Sequence, residues 1–306
     1  MKKILVATQK PFDPAAIPQI EEISKNAGYE VVIFEKYENQ SDLVEAVKDA
    51  NALIVRSDKV TREVIEAAEN LKIVVRAGAG YDNVDLEAAT EKNIVVMNTP
   101  GQNSNAVAEL ALGMMVFQAR GHFNGKPGTE LRGKTLGIHA YGNVGRLVAQ
   151  IAKGFGMHVS AYDPFLDNAK IEADGIKAFD SADALYANNQ YVSLNIPAND
   201  KTKKSIGKAL LQKMPQNAVL VNTARKEVIN EEELLHVMDA RSDFKYLSDI
   251  APDCKDDFAA KYEGRYFFTP KKMGAQTKEA NVNAGIAAAN QIVNYLDKGD
   301  TTFKVN

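Results

Sequence analysis

The strongest constraint on how this chain can fold is a rhythm that runs almost from end to end. Short β-branched runs at 4–7, 30–34, 53–55, 73–75 and 94–97 alternate with amphipathic stretches at 17–27, 42–48 and 61–69. Alternation of this kind reads as βαβ units around a parallel sheet. A second series of strands, at 135–139, 158–162, 191–194, 219–222, 245–249 and 266–269, begins after a connector rich in Gly121, Gly125, Pro127 and Gly128. Ahead of the connector, residues 103–119 form one long apolar helix, suited to joining two domains. After the last strand an Ala-rich helix is predicted over 278–296, closed by Lys298-Gly299 as helix C-termini are. The final Phe303-Lys304-Val305 reads as a short strand or an anchor returning to the first domain.

At 306 residues the chain has room for two domains with separate cores. With 37 basic and 40 acidic side chains spread along it, it carries no concentrated basic face of the kind nucleic acid requires. The local cluster Lys201, Lys203, Lys204 and Lys208 is read as a solvated helix start. The single cysteine, Cys254, rules out an internal disulfide framework and fits a reducing compartment. The apolar N-terminal stretch is too short for a secretory signal, and no apolar run approaches the ~18 residues that span a bilayer. A cytoplasmic protein with no nucleic-acid or membrane partner is expected.

The strand at 135–139 leads into Ala140-Tyr141-Gly142-Asn143-Val144-Gly145 and then a helix over 146–155. This is the dinucleotide-binding arrangement with its first glycine replaced by Ala140. Gly142 lets the backbone approach a pyrophosphate, Gly145 lets helix and strand pack closely, and free N–H groups at the helix start meet phosphate charge. Ala140 is tolerable there if its φ stays negative. The next strand ends in Asp163, whose carboxylate would accept from the adenosine ribose hydroxyls and repel a 2′-phosphate. Pro164-Phe165 supplies no arginine to welcome one, so NAD is expected over NADP.

Four further segments carry a resemblance. They are Val75-Arg76-Ala77-Gly78-Ala79-Gly80-Tyr81-Asp82-Asn83-Val84-Asp85; Met97-Asn98-Thr99-Pro100-Gly101 with Asn103 and Val107-Ala108-Glu109; Gly128 through Gly137; and Val221-Asn222-Thr223-Ala224-Arg225. In order and spacing over roughly residues 50–280 they resemble the D-2-hydroxyacid dehydrogenases. Ile54-Val55-Arg56-Ser57 and the stretch 75–85 are most similar to members acting on a phosphorylated 2-hydroxy acid. The resemblance implies an α/β fold of two Rossmann-like domains with parallel sheets and a cleft between them. A flavodoxin-like substrate domain would cover 1–98 plus 284–306, and an NAD-binding domain 99–283. Ending at residue 306, the chain resembles a short form without the regulatory C-terminal domains of longer members.

Oxidising a 2-hydroxy acid requires a group to bind the carboxylate, a group to move the hydroxyl proton, and a nicotinamide near C2. Arg225 is expected to hold the carboxylate and polarise the C2 oxygen through a charge-assisted contact. The loop 76–80, with Arg76, Ala77, Gly78 and Ala79, would offer backbone N–H groups to the same carboxylate. Arg56, with Ser57 beside it, is the candidate for a substrate phosphate, and Asn103 is placed at the substrate by resemblance. The cofactor would be lined by Ala79, Tyr141, Gly142, Asn143, Val144, Gly145, Asp163, Ile196, Pro197, Thr223, Ala224, Arg225, Asp249, Gly274 and Ala275. No metal is expected.

The chain departs from the family pattern twice. Where most members carry a proton-transferring histidine after Thr-Pro, this chain reads Thr269-Pro270-Lys271-Lys272-Met273-Gly274-Ala275. Its four histidines, His122, His139, His158 and His236, lie elsewhere. Anchoring on Gly274-Ala275 puts Lys272 at the histidine position, with Lys271 as the alternative. The glutamate that normally pairs with the histidine is also missing: Cys254 occupies the aligned position, with Asp253 one residue before. A lysine needs no carboxylate to fix a tautomer, so the two losses are chemically consistent. A homodimer is expected from the apolar stretch 103–119. Two rivals remain: a dehydrogenase for an unphosphorylated 2-hydroxy acid, and a non-enzymatic NAD-binding scaffold of the corepressor kind.

Overall fold

The computed structural model describes all 306 residues. It divides into two compact units, Met1–Asn103 with Thr277–Asn306, and Ser104–Gln276. The sequence reading had placed these boundaries at 98/99 and 283/284.

The first unit runs β1 (Lys3–Thr8), α1 (Ala16–Asn26), β2 (Glu30–Glu35), α2 (Gln40–Ala46), β3 (Ala52–Val55), α3 (Arg62–Ala67), β4 (Ile73–Arg76), α4 (Leu86–Glu91) and β5 (Val95–Asn98). Its five strands are all parallel in the order β2-β1-β3-β4-β5, which is the flavodoxin-like order.

The second unit runs α5 (Ser104–Ala119), β6 (Thr135–His139), α6 (Asn143–Gly154), β7 (His158–Tyr162), α7 (Asn168–Glu172), β8 (Lys177–Ala178), α8 (Ala182–Asn188) and β9 (Tyr191–Leu194). It continues through α9 (Lys208–Leu211), β10 (Val219–Asn222), α10 (Glu231–Ala240), β11 (Lys245–Ser248), α11 (Lys255–Lys261) and β12 (Tyr266–Phe268). Seven parallel strands lie in the order β12-β11-β10-β9-β6-β7-β8. The chain then returns to the first unit as α12 (Lys278–Lys298).

Both sheets are covered on two faces, which is why their strands are mostly apolar rather than alternating. In β1, Ile4 and Val6 face a core with Ile20 of α1 and Ala284, Ala288 and Ile292 of α12. Leu5 and Ala7 face the opposite core, with Leu43 of α2 and Val64 and Ile65 of α3. In the second unit Val219 and Val221 pack with α5 and α6, while Leu220 packs on the side of α8 and α10. The small residues of α12 let it lie close: a Cβ on Gly285 would come 3.0 Å from Ile20 and 3.2 Å from Phe12. Thr277 caps α12 by accepting from the Ala280 N–H, and Gly299 closes it at φ +69°. Beyond it, Val305 N–H donates to the Val96 carbonyl at 2.9 Å and Lys304 bridges antiparallel to Met97, so the tail anchors on β5. No helix is long and apolar enough to cross a membrane.

Candidate functional site

In the second unit the strand order reverses between β6 and β9, and in such sheets ligands are taken at the carboxyl ends of the strands beside that switch. The glycine-rich turn leaves β6 there. Ala140 does not keep a negative φ, as the sequence reading required; it sits at +73°. The turn demands a left-handed residue at this point, and the surrounding fold imposes it on an alanine. Its N–H is paired with the Tyr162 carbonyl at 2.9 Å. A Cβ on Gly145 would collide with the Ala140 carbonyl oxygen, so only glycine lets α6 approach β6. Nothing lies within 4 Å of the position a Cβ would take on Gly142, the residue that caps α6.

Asp163 is held by two backbone donors, Tyr141 N–H on Oδ2 and Phe165 N–H on Oδ1, both at 2.9 Å. Each oxygen keeps a lone pair for a further donor. Tyr141 and Arg146 share the Asp174 carboxylate at 3.1 and 2.7 Å. Burial and that carboxylate push the Tyr141 phenol up to about 12. His139, the last residue of β6, is packed against Tyr186, with Nδ1 3.1 Å from the phenol oxygen. Burial lowers its pKa to about 4, so it is neutral and structural.

Past the ends of β9 and β10, Asn195 Oδ1 and Thr223 Oγ1 are buried polar atoms without a hydrogen-bond partner. Such atoms are costly unless something satisfies them. Together with the open space over Gly142 and the helix start behind it, they fit a dinucleotide laid across the switch point. The sequence reading included Thr223 but missed Asn195; its place directly after β9, ahead of Ile196 and Pro197, was the available signal.

After β10 the chain turns through Thr223 and Ala224 to Arg225, which is exposed and extended (φ −142°, ψ 145°). Arg225 Nη1 donates to the Ala224 carbonyl at 3.1 Å, and Lys272 Nζ donates to the same oxygen at 3.3 Å. Two cations from segments 47 residues apart thus converge on one acceptor. Asp249, buried at the end of β11, fixes the lysine segment: its carboxylate accepts from Thr269 Oγ1 (3.0 Å), Met273 N–H and Gly274 N–H (both 2.7 Å). A Cβ on Gly274 would sit 2.8 Å from Asp249 Oδ2, so glycine is required for this contact. The next residue, Ile250, holds a φ of 146°, a strained value for a β-branched side chain. Ala275 follows half-buried.

Asp253 is exposed and paired with Lys226 Nζ at 2.5 Å. Glu231 accepts from the Asp253 and Cys254 N–H groups at 3.0 and 2.9 Å. Burial, and then the Glu231 charge, push the Cys254 thiol up to about 12.

In the first unit the expected substrate residues gather at the carboxyl ends of β3 and β4. Arg56 Nη1 donates to the Lys10 and Pro11 carbonyls at 2.9 and 2.6 Å, and the guanidinium lies over Phe12. Burial lowers its pKa from the ordinary arginine value. Arg76 Nε donates to the Arg56 carbonyl at 2.9 Å. Gly78 has φ +151°, and a Cβ there would collide with the Arg76 guanidinium. The loop is tied down by Asn98 Nδ2 on the Ala79 carbonyl (2.6 Å) and by Thr99 N–H on Gly78 (2.9 Å). Ser57 is exposed, and Ala77 is buried with its N–H on the Val55 carbonyl. Asn103 is half-buried, directly before α5.

Beneath these residues is one the sequence reading passed over. Asp58 is a buried carboxylate that accepts from Gln9 N–H (2.7 Å), Tyr37 Oη (2.8 Å) and Arg56 N–H (3.3 Å). It sets the geometry of the Arg56 segment, and burial beside it raises the Tyr37 phenol well above the usual range. Its partners Gln9 and Tyr37 are remote in sequence, so no local pattern announces it.

Comparison with known proteins completes the description of this arrangement. The family model described as "D-isomer specific 2-hydroxyacid dehydrogenase, catalytic domain" matches residues 4–306. A D-3-phosphoglycerate dehydrogenase of Methanocaldococcus jannaschii is 37% identical over 97% of this chain and 58% of its own length. A hydroxypyruvate reductase of Thermotoga maritima is 39% identical over 67% of this chain and 70% of that protein. The crystal structure of NAD+-bound 3-phosphoglycerate dehydrogenase of Entamoeba histolytica superposes with a TM-score of 0.88 at 47% identity, covering 100% of this chain and 98% of that one. The present chain spans little more than half the length of the first of these relatives.

Proposed function

The chain belongs to the D-isomer specific 2-hydroxyacid dehydrogenase family, and from that premise we propose that it oxidises 3-phospho-D-glycerate to 3-phosphohydroxypyruvate with NAD+, the first step toward serine. The observation that carries this reading is the convergence of Arg225 and Lys272 on the Ala224 carbonyl oxygen. A guanidinium able to bind a carboxylate and an amine able to carry a proton meeting at one strand end support the reading, since the family uses an arginine and a histidine for these tasks.

Arg225 binds the substrate carboxylate and polarises the C2 oxygen. Lys272 accepts the proton leaving the C2 hydroxyl during oxidation and returns it during reduction. Bound NAD+ would supply the hydride acceptor that oxidation at C2 requires. Asp163 would receive the ribose hydroxyls, Gly142 to Gly145 would admit the pyrophosphate, and Thr223 and Asn195 would gain the partners they lack. In the other unit, Arg56 with Ser57 binds the phosphate and the 76–80 loop presents backbone N–H groups to the carboxylate. Asp253, at the position beside the missing glutamate, is paired with Lys226, the residue next to Arg225, and is the candidate to balance charge there. The exposed Phe123 and the half-buried Leu110 and Val116 of the α5 region support a homodimer, and the lone Cys254 supports a cytoplasmic setting.

The similarity to hydroxypyruvate reductase favours a second reading, an unphosphorylated 2-hydroxy acid as substrate. A scaffold that only binds NAD would have no use for the Arg225 and Arg76 segments. One experiment separates the three: NADH consumption with phosphohydroxypyruvate, hydroxypyruvate, glyoxylate and pyruvate. The phosphorylated acid is expected to give the highest kcat/KM, and Lys272→Ala to lower kcat by about 100-fold, the general acid–base contribution. A preference for hydroxypyruvate selects the second reading, and no turnover with any 2-oxo acid selects the scaffold. If Lys272→Ala spares kcat while Lys271→Ala does not, the proton carrier is Lys271.

A further inference from the structure

Asn222, the last residue of β10, is 2% exposed, and its side chain is fully engaged in the turn that follows. Its Oδ1 accepts from the Ala224 N–H at 3.0 Å, and its Nδ2 donates to the Arg225 carbonyl at 2.9 Å. The same Nδ2 lies 3.3 Å from the hydroxyl of the fully buried Tyr246. Its backbone carbonyl accepts from Asp249 N–H at 2.9 Å. One residue therefore braces both sides of the convergence point: the side chain holds the two peptides that flank the Ala224 carbonyl, which receives Arg225 and Lys272, and the main chain registers the aspartate that holds the Lys272 segment.

We infer that Asn222 is a positioning residue for the reaction, acting by orienting the Ala224 carbonyl so that Arg225 and Lys272 are held together. This rests on the role given to Lys272 above. The chemistry explains the residue type. The brace needs an acceptor toward one backbone group and a donor toward the next, on a side chain short enough to double back on its own turn. Asparagine supplies both; aspartate keeps only the acceptor, and serine is too short to reach both ends. Arg225 and Lys272 both donate to the carbonyl; Lys226, next in the chain, is paired with Asp253, and Asp249 anchors the lysine segment through the Met273 and Gly274 N–H groups. An oriented carbonyl dipole is the element that lets the first two cations share the space. Once the brace is lost, the peptide is free to rotate, and the oxygen no longer stabilises the protonated form of Lys272.

The test uses the whole enzyme with phosphohydroxypyruvate and NADH. Asn222→Ala, Lys272→Ala and the double variant are compared with the parent; where Asn222→Ala does not fold, Asn222→Asp replaces it, being the same size and keeping the Ala224 contact. The Asn222 variant is expected to lose about tenfold or more in kcat, as a misplaced group does, with NADH affinity measured by fluorescence changing far less. The ionisation in the pH–rate profile that Lys272→Ala removes is expected to move to lower pH in Asn222→Ala. For Asn222→Asp, which adds an acidic group beside the turn, it is expected to move to higher pH. In the Lys272→Ala background the same change is expected to cost much less than in the parent. An unmoved ionisation, or an equal loss in both backgrounds, overturns the inference while leaving the Lys272 assignment in place. If Lys272→Ala itself leaves kcat and the profile intact, the functional reading has failed first, and the inference falls with it.

Discussion

Ala140 holds a φ of +73°, in a region that costs a residue bearing a Cβ roughly 1–2 kcal/mol. Glycine removes that cost, at about 0.4–1 kcal/mol of added freedom in the unfolded chain. Ala140→Gly is therefore expected to stabilise the second unit by up to about 1 kcal/mol, read as a higher midpoint in urea. A lower midpoint shows instead that the alanine methyl contributes packing that outweighs its backbone strain. Asp163 supports a different expectation. Its carboxylate is pinned by two backbone donors, which hold it in place for a ribose. Asp163→Ala is expected to raise KM for NADH and narrow the preference over NADPH, and an unchanged ratio of the two kcat/KM values removes Asp163 from cofactor selection.

At the level of elements, β6 combines what was legible in the sequence with what was not. Its bounds and the turn after it followed from the apolar run and the glycine spacing, and so did the helices with clear periodicity and caps. The two-residue β8 did not, because a strand that short has no period to read. Asp58 escaped notice because it draws its role from groups brought together only by folding, Tyr37 and Gln9; Asn222 stood in the segment ending at Arg225, but its bond to Tyr246 and the arrival of Lys272 on Ala224 come only with the fold. His139, packed at the end of β6, has a further consequence. Its folded pKa, about 4, lies below the ordinary 6.5. Between those values the unfolded chain binds a proton that the folded protein refuses. The stability it protects is complete above about pH 6.5 and falls by ~1.4 kcal/mol per unit as the pH drops toward 4. Urea melts at pH 7 and 4.5 are expected to show a smaller acid loss for His139→Asn than for the parent. Equal losses assign the acid sensitivity to other groups.

For the whole molecule, a self-associating surface is expected around α5, where Phe123 is 65% exposed and packs edge-on against Phe117. Light scattering at micromolar concentration is expected to give twice the 33.4 kDa chain mass, and Phe123→Asp to shift it toward the monomer; a parent that is already monomeric ends the dimer proposal. The discontinuity of the first unit has a consequence in time as well as space. The ribosome delivers β1 to β5 first, yet the helix that covers Ile4, Val6 and Ile54 lies beyond the whole of the second unit. During synthesis one face of the first sheet, covered by α1 alone, waits half-covered until residues 284–292 emerge, while the second unit, continuous in the chain, has everything it needs to close. The order of completion is thus the reverse of the order of translation. The interval between them is when a nascent chain of this design is most exposed to aggregation and most dependent on a chaperone.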